Sequence, residues 1–209
     1  MKLFAGFLAF GLTASAVRVV NFDNAPLGKT PPGWTVPITT HGPGPQWEIR
    51  SDRSAPTPPY VLARIAPRTS GEHCPLAIWE EASLRDGDIS VRIKPVSGRE
   101  MQTAGIVWRY RDENNYYLAR ANALDRNIQV FKVENGRRIP LMAAVRHELP
   151  SNQWSILKVS VKGRRFQVYV DHRRVLQGQD GTFAAPGKVG LWTAGDSVTY
   201  FDDFRVAPK

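Results

Sequence analysis

Four planar hydrogen-bonding side chains, Arg109, Arg120, Asn122 and Gln129, fall within the stretch "RYRDENNYYLARANALDRNIQ". Guanidinium and amide groups present donors and acceptors in a fixed plane, which suits them to the hydroxyl groups of a sugar or other polyol. A sugar site also uses an aromatic ring against the apolar face of the sugar. Tyr169, in "FQVYV", and Trp192, in "GLWTAG", supply candidate rings. In a strand each stands on the face opposite its apolar neighbours: Val168 and Val170 for Tyr169, Val189 and Leu191 for Trp192. These six residues form the candidate ligand-binding set.

Bond-breaking chemistry finds less support. Glycoside hydrolysis generally needs two carboxyl groups roughly 5–9.5 Å apart across a cleft. Here most acids fall at turns, among them Asp86, Asp88, Asp112, Glu113, Asp125, Glu134 and Asp196, and no pair stands out. "SILK", Ser155 to Lys158, has the Ser-x-x-Lys spacing of a serine nucleophile with its base. That spacing works on a helical turn; in a strand the two side chains point to opposite faces. The chain has no Gly-rich phosphate loop, no His-Glu-x-x-His and no cysteine pair for zinc. His41, His73, His147 and His172 are scattered. Cys74 neighbours His73, but a catalytic pair needs a third, orienting group, and none is visible. No catalytic residue is assigned, and whether the protein is an enzyme stays open.

The elements that hold these groups follow from the rest of the chain. Residues 1–16, "MKLFAGFLAFGLTASA", join a lysine, a short apolar run and an Ala-Ser-Ala cleavage signal, the pattern of a secretory signal peptide. The apolar run is too short to cross a bilayer, and no later segment is long enough. The expectation is one domain over residues 17–209, periplasmic or extracellular, with no transmembrane segment. Cys74 is the single cysteine, so no intramolecular disulfide forms and the core must hold itself together. Net charge is +9, from 28 Lys and Arg against 19 Asp and Glu. The basic residues are spread along the chain, as in Arg137-Arg138, Arg164-Arg165 and Arg173-Arg174. A nucleic-acid reader concentrates them and interleaves aromatics, so nucleic acid is not the expected partner. Attraction to an acidic glycan or envelope polymer is compatible with the charge.

Secondary structure reads as strand throughout. The segment from Asn21 to Ile65 is dense in Pro and Gly, which excludes long helices. "DISVRIKPV" alternates Ile89, Val91 and Ile93 with polar residues, and "WSILKVSVKGRRFQVYVDHRRVL" reads as a hairpin turning at Lys162-Gly163-Arg164-Arg165. The stretch carrying the planar groups has alanines and charges that invite a helical reading. Its Asp/Asn clusters argue instead for turns at 112–115 and 123–126. The first turn sets Arg111 opposite Tyr116, Arg109 opposite Leu118 and Val107 opposite Arg120. The second sets Asn122 opposite Asn127, Arg120 opposite Gln129 and Leu118 opposite Phe131. Ile106, Trp108, Ala119, Ala121, Ile128 and Val130 then share a core face, while Arg109, Arg120, Asn122, Asn127 and Gln129 share the other. A one-residue slip would scramble both sets. The expected fold is all-β, a two-sheet antiparallel jelly-roll sandwich.

The stretches "AGIVWRYRDENNYYLARANALDRNIQVFKVENGRR", "LPSNQWSILKVSVKGRRFQVYVDHRRVL" and "GKVGLWTAGDSVTYFDDFRV", in that order, resemble the concanavalin A-like, laminin-G-like jelly-roll superfamily. Within it the chain is similar to the exported bacterial 3-keto-disaccharide hydrolase domain group, over roughly Asn21 to Val206. The resemblance implies two stacked sheets, one of them often binding carbohydrate. It does not fix an activity, since the fold hosts lectins, glycosidases, lyases and adhesion modules. The Glu-x-Asp-x-Glu motif of the superfamily's glucanases is missing here. The resemblance also implies a structural calcium tying the first strand to the last, with Asp23, Asp202 and Asp203 as the matching acids; no other cofactor is implied. The plainer alternative is that Asp23 caps a turn and one of Asp202 and Asp203 faces solvent or meets an arginine. Three functions stand: a carbohydrate- or envelope-glycan-binding module, a hydrolase of a keto- or otherwise modified disaccharide, and a structural or adhesion module.

Overall fold

The computed structural model describes residues 16–39, 46–65 and 73–209, and every regular element among them is a β-strand. The expected signal peptide, residues 1–16, lies almost wholly outside the described residues. The strands form two antiparallel sheets. The first runs β14 (Arg173–Gln179), β13 (Arg165–Val170), β12 (Ser155–Lys162), β6 (Gly87–Ser97), β16 (Val198–Pro208), β4 (Tyr60–Ile65), β3 (Gln46–Ser51). β1 (Arg18–Val20) pairs with the C-terminal half of β16, Arg18 opposite Val206. The second sheet runs β10 (Arg137–Pro140), β9 (Asn127–Glu134), β8 (Asn115–Asn122), β7 (Thr103–Asp112), β15 (Gly187–Trp192), β5 (Leu76–Leu84), β2 (Trp34–Thr35), with β11 (Val145–Arg146) beside β9. This is the expected jelly-roll sandwich.

Period-two alternation builds the first sheet. β6 buries Ile89, Val91 and Ile93, β12 buries Leu157, Val159 and Val161, and β13 buries Phe166, Val168 and Val170. Ser155 is buried while Lys158 stands on the outer face, so the Ser-x-x-Lys spacing carries no nucleophile and base. From the second sheet, Ile106, Trp108, Ala119, Ala121, Ile128 and Val130 complete a single core between the layers. Trp108 stacks on Tyr117 there at 5.3 Å.

The second sheet is apolar on both faces. Outside the core, Leu76, Ile78, Val107, Tyr116, Leu118, Phe131, Val133 and Trp192 form a second buried cluster. Gly105 makes it close-packed: a β-carbon there would lie 2.6 Å from Leu118 Cδ1 and 3.3 Å from Trp192 Cβ. Fully burying such a side chain contributes roughly 1.5–3 kcal/mol, so this outer cluster stabilises the fold as well as carrying a surface.

The β8–β9 register is the expected one, with Asn122 opposite Asn127, Arg120 opposite Gln129 and Leu118 opposite Phe131. The β7–β8 register differs. Asp112 faces Asn115 across the turn, but a bulge between Trp108 and Asp112 shifts the ladder by two residues, so Val107 faces Leu118 and Gly105 faces Arg120. The bulge centres on Arg109, whose φ of +49° turns it off the expected polar face. Bulges re-aim side chains in this way. Because the shift is even, the faces of the remaining β7 residues are preserved.

Candidate functional site

Phe131 is the centre of the outer face of β8, β9 and β10, with Leu118 opposite it in β8 and Pro140 opposite it in β10. Arg120, two residues beyond Leu118, brings its guanidinium carbon to 5.3 Å from the ring centroid. Arg138, two residues before Pro140, approaches from the other corner to 5.4 Å, and lies 5.8 Å from the Trp192 ring. The Asn135-Gly136 turn places Arg138. Both residues have positive φ, +52° and +75°, as the tight hairpin turns that match strand twist require. The turn sets Arg138 opposite Val133, on the face of Phe131.

Hydrogen bonds fix Arg120 more than Arg138. Arg120 Nη2 donates to Asn127 Oδ1 at 2.7 Å and to Gln129 Oε1 at 3.5 Å. Gln129 Nε2 in turn donates to the Met142 carbonyl at 3.2 Å. Arg138 Nη1 reaches Cys74 Sγ at 3.7 Å, a weak acceptor. The Arg120 Nε–H is buried and finds no acceptor among the described residues. Burial lowers the Arg120 pKa and the nearby Arg138 charge lowers it further; Asp125 acts in the opposite sense. The Asp125 carboxylate is held by Asn122 Nδ2 at 2.7 Å rather than by an arginine. Among the described residues, neither Arg120 nor Arg138 has a carboxylate partner.

The six candidate residues are distributed over three places. Arg120 and Gln129 stand together beside Phe131. Asn122 is adjacent but buried, its Oδ1 accepting from the Leu124 and Asp125 N–H groups, so its amide shapes the 122–125 turn. Trp192 lies on the same face but is fully buried beneath Arg138, where it supports the site without offering an open ring. Arg109 is only 3 % exposed and lies at the end of the sandwich. There it donates to the carbonyls of Phe183, Arg85 and Gly163 and to the Asp86 carboxylate, tying three loops to β7.

Tyr169 belongs to the other side of the molecule, the outer face of the first sheet. Alternation gave its face correctly, but it could not say which sheet β13 joins. Tyr169 lines a groove of about 520 Å³ with Ser90, Arg92, Lys158 and Arg205, and Lys158 Nζ stands 4.9 Å over its ring. A neighbouring groove of about 800 Å³ carries Lys162, Arg165, Gln167 and Gln177. The residue that sequence reasoning missed is Arg138. Carrying the register through the Asn135-Gly136 turn would have placed it.

Asp23, Asp202 and Asp203 hold the loop that leads into β4. Asp202 accepts the Thr57 N–H at 2.9 Å, Asp203 the Thr57 hydroxyl at 2.8 Å, and Asp23 the Tyr60 N–H at 3.1 Å. Asp202 is fully buried. Its pKa is pushed up to about 7, first by burial and then by the charges of Asp203 and Asp23, against the pull of its two backbone donors. Among the described residues, no group of three or more His, Cys, Asp or Glu side chains is arranged to hold a metal ion. One oxygen each of Asp23, Asp202 and Asp203 is engaged by the Tyr60 and Thr57 donors. No helix among the described residues is long and apolar enough to cross a membrane.

No protein-family model matches the chain. Over 86 residues, 40% of its length, it is 34% identical to the levanase of Bacillus subtilis (strain 168). That match covers 12% of the levanase, so the chain spans only a small fraction of this relative. Among solved structures it resembles the carbohydrate-binding module CBM66 from Bacillus subtilis, with a TM-score of 0.63 at 23% identity, covering 83% of this chain and 95% of the module. It also resembles the β-glucanase of Bacillus licheniformis, with a TM-score of 0.61 at 12% identity, covering 93% and 99%. The likeness is one of fold, a two-sheet antiparallel jelly roll.

Proposed function

We propose that this protein is an exported carbohydrate-binding module whose sugar site is the outer face of β8, β9 and β10. The observation that carries this reading is the convergence of Arg120 and Arg138 on Phe131, with the Asn127 and Gln129 amides beside them. Sugar sites are built from planar donors and acceptors of this kind, and the Phe131 ring, itself only 6 % exposed, is the floor on which the two guanidinium groups lie. The likeness to a solved carbohydrate-binding module, and the partial likeness to an enzyme named for levan, favour a glycan over other polyols. Export rests on the leader-like residues 1–16. N-terminal sequencing of protein secreted by a bacterial host tests it, with Val17 as the expected first residue.

A glycan array with purified protein tests the binding. The expected result is retention of at least one glycan class at micromolar concentration, lost in the Arg120→Ala variant. Folded protein that binds nothing on the array defeats the reading in favour of an adhesion module. The hydrolase alternative, including the keto-disaccharide group, is checked by incubation with 3-keto and unmodified disaccharides. Release of monosaccharide would make the face a substrate site rather than a binding site.

A further inference from the structure

The unusual feature of the Phe131 face is its pairing of like charges: two arginines share one ring, and among the described residues neither has a carboxylate at hydrogen-bonding distance. Arg120 and Arg138 both lie within 5.4 Å of one ring centroid, so their guanidinium carbons are separated by no more than twice that distance. The ring attracts each cation by its face, but it gives their N–H edges nothing to bond. Among the described residues, Arg120 has a buried Nε–H with no acceptor, and Arg138 has the weak Cys74 sulfur as its acceptor. Asp125 is held by Asn122, and neighbouring Arg126 and Arg146 have Glu148. Two cations drawn together over an apolar ring and half-withdrawn from water repel each other and are poorly solvated. Hydroxyl groups of a neutral sugar would accept their hydrogen bonds but leave the charge unopposed. An oxyanion does both, through short charge-assisted bonds to the planar forks.

We infer that the glycan bound at this face carries an oxyanion substituent, a carboxylate or a sulfate, seated above Phe131 between Arg120 and Arg138. This rests on the reading that the face binds carbohydrate. The substituent sits where both guanidinium edges converge, while Asn127 and Gln129 meet neighbouring hydroxyl groups. The preference for charge is therefore local to this face and separate from the general attraction that a +9 chain has for any acidic polymer.

Titration calorimetry with two matched pairs of oligosaccharides tests it: oligogalacturonate against its methyl ester, and sulfated against unsulfated dextran fragments. The acidic member of at least one pair is expected to bind about tenfold or more tighter than its neutral partner. Which pair discriminates identifies carboxylate or sulfate. Arg120→Gln and Arg138→Gln should each collapse the difference. The double variant Lys162→Gln/Arg165→Gln, in the groove of the other sheet, should leave it unchanged. Equal binding of both members of both pairs, or a preference that survives both Arg120→Gln and Arg138→Gln, overturns the inference while leaving carbohydrate binding intact. If folded protein binds no acidic or neutral glycan in these titrations or on the array, both readings fall together.

Discussion

Arg120 and Arg138 stand at opposite corners of a single phenyl ring, that of Phe131, and neither meets a carboxylate among the described residues. A strand separates the two arginines, so the ring is the group that both touch. Their arrangement depends on the ladder on either side of β9, and it can be disturbed from either flank.

Arg120→Ala should weaken glycan binding by about tenfold, roughly 1.4 kcal/mol. It should move the Tm by no more than about 2 °C, because the lost packing and the Asn127 bond are offset by relief of repulsion with Arg138. A fall in Tm of about 8 °C or more would assign Arg120 to the fold rather than to the ligand.

Arg109→Ala should do the reverse. Its buried guanidinium joins three carbonyls and Asp86, and leaving these unpaired costs about 3–5 kcal/mol, a drop in Tm on the order of 10 °C. The affinity of the protein that remains folded should stay at the wild-type value. Thermal melts and calorimetry on the same preparation separate the two effects, and a ligand-binding role would show as lost affinity at unchanged Tm.

Gly105→Ala places a methyl group 2.6 Å from Leu118 Cδ1 and 3.1 Å from the Ala119 carbonyl. Overpacking of this kind costs about 1–3 kcal/mol. Because Leu118 and Trp192 lie beneath the arginines, the substitution should lower both Tm and glycan affinity. An Ala variant as stable as wild type would mean that the outer cluster has room the packing does not show.

The raised Asp202 pKa has a definite sign. An unfolded aspartate ionises near 3.8, whereas this one ionises near 7, so between those values the folded chain holds the extra proton. Its contribution to stability is complete below pH 3.8, is lost as pH rises toward 7, and changes no further above that. Asp52, Asp88 and Asp196 are shifted the opposite way. Burial opposes their ionisation, but it is outweighed by the Lys94 ammonium, by the Lys209, Ser160 and Lys158 donors, and by three backbone N–H groups respectively. Their contributions are lost as pH falls below the ordinary carboxylate range. The Tm should therefore peak near pH 5 and decline by pH 8, with Asp202→Asn flattening the alkaline limb. A flat Tm from pH 5 to 8 in wild type defeats this assignment. Millimolar calcium that restores the Tm at pH 8 would mark a cation, rather than a proton, as the counter-charge.

Much of this was legible in the sequence where side-chain chemistry marks geometry. Alternation in β6, β12 and β13 sorts core from surface, and Asp/Asn turns pin the β8–β9 register. The bulge was not legible. Arg109 adopts a left-handed backbone without being Gly or Asn, held there by four acceptors that arrive from distant loops. Nor does alternation tell which sheet a strand joins, and so Tyr169 and Trp192, alike as candidate rings, end on opposite sides of the sandwich. Asn122 carried the right chemistry but formed its bonds within its own turn.

The first and last strands lie side by side, with Arg18 opposite Val206 and Val20 opposite Phe204. Their hydrogen bonds run perpendicular to the strands. A pull applied to the two ends acts along those bonds, which then break singly and in sequence instead of sharing the load in shear. Under tension this seam of three residue pairs yields first. It peels β1 away as a mechanical fuse, while the Arg120–Arg138 face, on the other sheet, lies off the line of load.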